Sequence, residues 1–355
     1  MADKTYFEQR EIEALDKLKA IRSELPFICN EFFVGIETYT SPLTRLGYAT
    51  DLRIFFNFLV EEIDYFHGKN VRTLDYSDYE HLESTHIEMF LDYLSYYKID
   101  DKIYKNTIKT KARKLSSLKS YFKYCYEKDR ISRDPVAKVK SPKLHEKPII
   151  RLEKNEMTEF LDNVESGHGL SERAEAFHKD LKERDVAIVT LFLGTGIRIS
   201  ELVGLDIDDI DFNTNAFKIT RKGGNQDILY FNDEVKDALI AWLDKRAQNP
   251  DLDDEPALFV SLKNRRISVR NVQILVKKYA SITTPLKKIT PHKLRTTFGT
   301  NLYTDTRDIF VVANVLGHKD VNTTRKHYAA ISENIKKDAA TRVNLKPNQN
   351  NESDE

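Results

Sequence analysis

Residues 132–150 (SRDPVAKVKSPKLHEKPII) hold Pro135, Pro142 and Pro148 among closely spaced lysines. Proline lacks a backbone N–H and clashes with the preceding turn, so neither a helix nor a central strand runs through such a stretch. The 355-residue chain is therefore expected to fold in two pieces joined by an extended basic linker. The expected divisions are a helical extension at 1–25, one domain at 26–147, a second at 148–345 and a disordered polar tail at 346–355.

Helical periodicity dominates both pieces. In 6–24, Leu15, Leu18 and Ile21 fall on one side, and in 43–62, after Ser41-Pro42, Leu46, Leu52, Phe55, Phe56 and Leu59 recur at helical spacing. A helix is expected at 84–97 with Ser84 or Thr85 as N-cap. In 106–126, Ile108, Leu115, Leu118, Phe122 and Tyr126 form an apolar stripe. Lys109 and Arg113 share another face, with Lys111 and Lys114 nearby. In the second half, helices are expected at 153–166 and at 183–193, the latter apolar almost all round and ended by Gly194 and Gly196. A hairpin of Ala216–Thr220 and Asp227–Phe231 turns through Arg221-Lys222-Gly223-Gly224-Asn225, where glycine supplies positive φ. From 233 onward the pattern is mostly helical to about residue 345, including a weak stripe of Ile331, Ile335, Ala339 and Val343. The class is mainly α with a small antiparallel β element.

The formal net charge is zero, yet residues 102–147 carry fifteen Lys and Arg against four Asp and Glu. A basic block on an otherwise acidic chain suits a surface that meets an anion, and equally a solvated helix face; charge alone does not separate the two. Cys29 and Cys125 are far apart, have no metal-ligand spacing and sit among apolar neighbours, as small buried hydrophobes in a reducing cytoplasm do. Charge from Asp3 onward argues against a signal peptide, and no apolar run approaches a membrane span, so a cytoplasmic protein is expected.

Four short segments carry possible chemistry: GTGIRISE at 194–201, RKGG at 221–224, TPHKLR at 290–295, and Leu316-Gly317-His318 followed by Tyr328. Singly each has a plainer explanation. Arg198, between two isoleucines, needs an anionic partner, which a salt bridge to Asp206 or Asp208 would supply. Lys222 is most simply a turn lysine, His292 a packed or surface histidine, and Tyr328 one of seventeen tyrosines.

Taken together and in order, Arg, Lys, His-x-x-Arg, Gly-His and Tyr resemble the signature of the tyrosine recombinase (phage integrase) family. The surrounding words LGTGIRISELVGL, ITRKGGNQD, TPHKLRTTFGTNL and VLGHKDVNTT are similar to those of Xer-type bacterial recombinases. The likeness covers about 180–335, with 26–147 more loosely similar to the family's helical, SAM-like core-binding domain. It implies site-specific recombination of double-stranded DNA by a homotetramer on two sites, a dimer on each, through a 3′-phosphotyrosyl intermediate and a Holliday junction. Chromosome dimer resolution and mobile-element integration or excision both remain open. It also implies that Arg198 and Arg295 clamp the scissile phosphate, His318 donates to the same oxygens and His292 accepts a proton or contacts phosphate. Lys222 then protonates the leaving 5′-oxygen and Tyr328 is the nucleophile. Two guanidiniums suit the charge on the equatorial oxygens in the transition state. A phenol with an ordinary pKa near 10 needs a cationic surround and a proton acceptor. No acidic metal cluster and no P-loop accompany these residues, so neither metal nor other cofactor is expected, and no membrane partner. Lys109, Lys111, Arg113, Lys114 and Lys119 are the candidate DNA contacts of the first domain.

The chain departs from the family pattern in two places. His318 and Tyr328 are ten positions apart, and Thr296 follows Arg295 where many relatives have histidine. A type IB topoisomerase-like relaxing enzyme, which uses similar residues as a monomer, and a DNA-binding protein that has lost activity are the competing readings. Relaxation of supercoils without a specific site distinguishes the first, and absence of any covalent product the second.

Overall fold

The computed structural model describes residues 5–99, 101–144, 149–221, 224–318 and 320–321. These residues fall into two compact units, one within Met1–Lys147 and the other within Pro148–Glu355.

The first unit is built of α1 (Tyr6–Arg22), α2 (Cys29–Gly35), α3 (Pro42–Glu62), α4 (Tyr76–Tyr79), α5 (Ser84–Tyr93), the antiparallel pair β1 (Tyr97–Ile99) and β2 (Lys102–Tyr104), and α6 (Ile108–Glu127). Local chemistry sets the starts. Thr5 and Glu8 form a capping box on α1, and Ser41 caps α3 with Pro42 at its first position. The core is aromatic: Phe32, Phe55, Phe56, Phe90, Tyr121 and Phe122 are fully buried, with edge-to-face pairs such as Phe32–Tyr121 at 5.2 Å. Cys29 and Cys125 are free and buried in this core, and burial pushes both thiols up to about 12.

Several expected faces shift. In α1 it is Ala14 and Leu18 that are buried, while Leu15 is 40% exposed. Ile108 and Tyr126 lie at the two ends of α6, past the packed middle of the stripe, and are exposed. The helix expected over 84–97 has Glu83 as N-cap and stops at Tyr93, because Tyr97 pairs with Tyr104 in a short hairpin.

In the second unit the elements are α7 (Lys154–Ser166), α8 (Glu172–Thr195), α9 (Ile199–Gly204), β3 (Ile210–Asp211), β4 (Ala216–Thr220), β5 (Gln226–Tyr230), α10 (Asp233–Ala247), α11 (Val269–Thr283), α12 (Pro291–Thr306) and α13 (Ile309–Val315). The central α8 packs against α7, α10 and α12. It is longer than its apolar stretch, starting at a Ser171 cap and running through Gly194, so only Gly196 ends it. The expected hairpin forms as β4–β5, with Thr220 opposite Gln226, and β3 adds a third antiparallel strand beside β4. Alternation along β4 buries Phe217 and Ile219 and exposes Lys218. The stripe expected at 331–345 and the tail at 346–355 lie outside the described residues.

Candidate active site

Gly196 brings α8 to a stop with φ +63°, a conformation that suits glycine, and a Cβ there would meet Phe298 at 2.4 Å. The sharp exit places Arg198 as the N-cap of α9. Its backbone N–H donates to Glu201 Oε2 at 2.9 Å and its guanidinium to Glu201 Oε1 at 2.8 Å. The partner of Arg198 is thus Glu201, not Asp206 or Asp208; Asp206 pairs with Arg266.

The other guanidinium nitrogen of Arg198 crosses to the turn after α13, donating to Leu316 O at 3.1 Å and Gly317 O at 2.9 Å. Arg295, held on the buried face of α12 and 5% exposed, reaches the same turn. It donates to Gly196 O at 2.5 Å and to Leu316 O. The turn is made by Gly317 at φ +58° and His318, whose N–H donates to Ala313 O at 2.9 Å. A third guanidinium, from Arg221 at the end of β4, donates to Glu201 Oε1 at 3.5 Å, Val315 O at 3.3 Å and Leu316 O at 3.4 Å.

Three arginines from distant stretches of chain therefore meet at one turn. Glu201, with a 2% exposed side chain, pairs with both Arg198 and Arg221, and Asp227 pairs with Arg221 from the rim. The cluster keeps a net positive charge in a partly desolvated place, which favours an anion. The Nε–H of Arg198 meets no acceptor among the described residues, and its side chain is 32% exposed. That donor is available to an incoming anion.

His318 is half-buried beside Gly317, and His292 is exposed in the first turn of α12, three residues before Arg295. Lys222 and Tyr328 lie outside the described residues. Sequence reading named Arg198 and Arg295 but missed Glu201 and Arg221, although both stand inside the quoted motifs. The one usable signal was a carboxylate three residues after Arg198 at a helix start.

Of the candidate contacts in the first unit, Lys109 is exposed. The Lys111 ammonium donates to Ser95 Oγ at 2.6 Å, and that of Lys119 to Val139 O at 2.9 Å. Lys114 is a correction. It is 5% exposed and donates at 2.9 Å to Asp51, a 1% exposed carboxylate that also takes Arg113 at 2.5 and 2.8 Å and Ser117 at 2.7 Å. A buried carboxylate recruits a cation, and helix α6 turns Lys114 inward to supply it. Arg113 keeps a side chain 55% exposed and remains on the surface. Among the described residues no His, Cys, Asp and Glu group could hold a metal, and no helix is long and apolar enough to cross a membrane.

Residues 151–334 match the phage integrase family. The chain is 33% identical over 329 residues to the tyrosine recombinase XerC of Caldanaerobacter subterraneus subsp. tengcongensis, covering 89% of this chain and 85% of that protein. It is 30% identical over 338 residues to the tyrosine recombinase XerS of Streptococcus equi subsp. zooepidemicus, covering 87% and 93%. The fold is similar to that of XerH site-specific recombinase bound to palindromic difH substrate in a post-cleavage complex, with TM-score 0.65 at 18% identity over 96% of this chain and 91% of that one.

Proposed function

This chain belongs to the phage integrase family as a tyrosine recombinase of Xer type, and from that premise we propose how it cuts and rejoins DNA at specific sites. The substrate is double-stranded DNA, with two copies on one site and four copies joining two sites. Each copy contacts the next head-to-tail, the kind of interface that closes a ring.

Arg198 and Arg295 hold the non-bridging oxygens of the scissile phosphate, with His318 donating a further hydrogen bond. The convergence of both guanidiniums on the Leu316–Gly317 turn carries this reading. Donors fixed in place before the reaction stabilise developing charge without reorganisation. The Tyr328 hydroxyl oxygen attacks phosphorus as His292 accepts its proton. A Tyr328 Oη–P bond forms and the P–O5′ bond breaks. The bonding pair stays on O5′, which takes a proton from Lys222. The phosphotyrosyl ester conserves the energy of the broken bond, so the freed 5′-hydroxyl of the partner strand reseals it without ATP. One strand exchange yields a Holliday junction and a second resolves it.

On α6 the exposed Lys109 and Arg113, together with the half-buried Lys111 and Lys119, meet the phosphate backbone. The work is done in the cytoplasm, in keeping with two free buried thiols. The Xer likeness favours resolution of chromosome dimers over movement of a mobile element.

The test is a plasmid carrying two copies of the protein's own site, found by footprinting with the Tyr328→Phe protein. Exchange between the sites with junction intermediates supports the proposal. Relaxation of supercoils on DNA lacking the site, with no exchange, overturns it.

A further inference from the structure

Arg221 stands where the β4–β5 hairpin opens into its loop. Its N–H donates to Asn225 O at 2.7 Å and its carbonyl accepts from Gly224 N–H at 3.1 Å, forming the last rung before the tip. An arginine at the mouth of a surface hairpin ordinarily extends into water. This one is 10% exposed at its side chain.

Its donors are committed to protein. Nε donates to Asp227 Oδ2 at 3.0 Å, the Nη1 group reaches Glu201 and Leu316 O, and Nη2 reaches Val315 O and lies 2.9 Å from Asp227. The guanidinium also lies flat against Gly317: a Cβ there would sit 2.6 Å from Arg221 Cζ. One side chain thus fastens the hairpin to α9, which Arg198 caps, and to the turn that carries His318. Arg198 leaves an N–H open at the same place; Arg221 is held on every side.

We propose that Arg221 is a positioning residue for the leaving-group proton: it anchors the root of the hairpin loop so that Lys222, the next residue, delivers its proton to O5′. The inference rests on the reading of Lys222 as the proton donor. A misplacement of about 1 Å in a catalytic group costs on the order of 10²-fold in rate. Fixing the residue before the donor lowers the entropy cost of placing it. Arg221 does not touch the phosphate in this account. Arg198 and Arg295 keep their own bonds to the Leu316–Gly317 turn without it, so the step most harmed by its loss is the one in which O5′ gains its proton as the P–O5′ bond breaks.

The experiment compares cleavage of two nicked suicide substrates, one with the natural bridging 5′-oxygen and one with 5′-sulfur, a leaving group that needs no proton. Arg221→Ala is expected to cleave the oxygen substrate about 10- to 100-fold more slowly than the parent, and to return close to the parent rate with sulfur. Lys222→Ala behaves the same way, and the double variant is no slower than the slower single one, as for two residues acting in one step. Asp227→Asn loosens the anchor from the hairpin side without emptying the site. It gives a smaller loss on oxygen and none on sulfur. Rescue of Lys222→Ala but not of either anchor variant overturns the inference alone, as does an Arg221→Ala protein with the parent rate on oxygen. Failure of Lys222→Ala itself to be rescued removes the proton-donor reading and the inference with it.

Discussion

Arg198 and Arg295 donate to one shared acceptor, the carbonyl oxygen of Leu316, though they come from the N-cap of α9 and the second turn of α12. The carbonyl oxygens fix both guanidiniums in direction, and Glu201 adds a carboxylate partner to Arg198. Replacing either by lysine removes the planar fork while keeping charge. Each replacement is expected to slow covalent cleavage by about 10²–10³-fold, the loss typical of one oxyanion donor. DNA affinity in a gel-shift titration should stay near that of the parent. An equal loss of binding and cleavage would mean that these side chains hold the fold rather than the phosphate.

Glu201 answers two of the three arginines from a side chain 2% exposed. Glu201→Ala leaves those cations facing one another with no central counter-charge. Urea unfolding should show a loss of about 1–3 kcal/mol, the cost of stranding buried polar partners. Added sulfate should recover more stability in the variant than in the parent, since an anion that binds only the folded state stabilises it.

Asp51 plays the corresponding part in the first unit, buried between Arg113, Lys114 and Ser117. Asp51→Ala strands the Lys114 ammonium in the interior. The expected destabilisation is about 3–5 kcal/mol, typical of breaking a buried pair from one side. Asp51→Ala with Lys114→Met should recover much of it, because an apolar pair removes the desolvation cost. If Lys114→Ala instead leaves stability unchanged and weakens DNA binding, the buried-partner account of Lys114 is wrong.

How much of this was legible beforehand depended on range. Ser41-Pro42 announced the start of α3 because a cap is read from adjacent residues, and Gly196 marked the end of α8 through its φ. Arg198 and Arg295 were legible because their words are distinctive. Lys114 was misplaced because its partner Asp51 lies on another helix, and a helical wheel for α6 has no knowledge of that carboxylate. Leu15 was misplaced by the same blindness, since Ala14 and Leu18 face α3 only once the two helices pack. Arg221 was passed over as a turn residue because its acceptors, Val315 O and Leu316 O, are backbone carbonyls that no side-chain pattern reveals.

Cys29 and Cys125 give a dependence on pH with a definite sign. Burial raises both thiols from the ordinary value of 9.0 to about 12 in the folded protein. The unfolded chain therefore loses these protons first. Their contribution to stability is whole below about pH 9 and is lost progressively as pH climbs from there to about 12. Chemical unfolding at pH 8 and pH 10 should show a parent protein weaker at the higher pH, and a Cys29→Ala, Cys125→Ala protein less sensitive to the change. Iodoacetamide at pH 8 should label neither thiol until denaturant is added.

The most direct test is to trap the parent protein on a nicked suicide substrate, digest the adduct and map the DNA-linked peptide by mass spectrometry. A single nucleotide 3′-phosphate joined to Tyr328 is expected, and no adduct from Tyr328→Phe. An adduct on another residue, or one that persists in Tyr328→Phe, would contradict it.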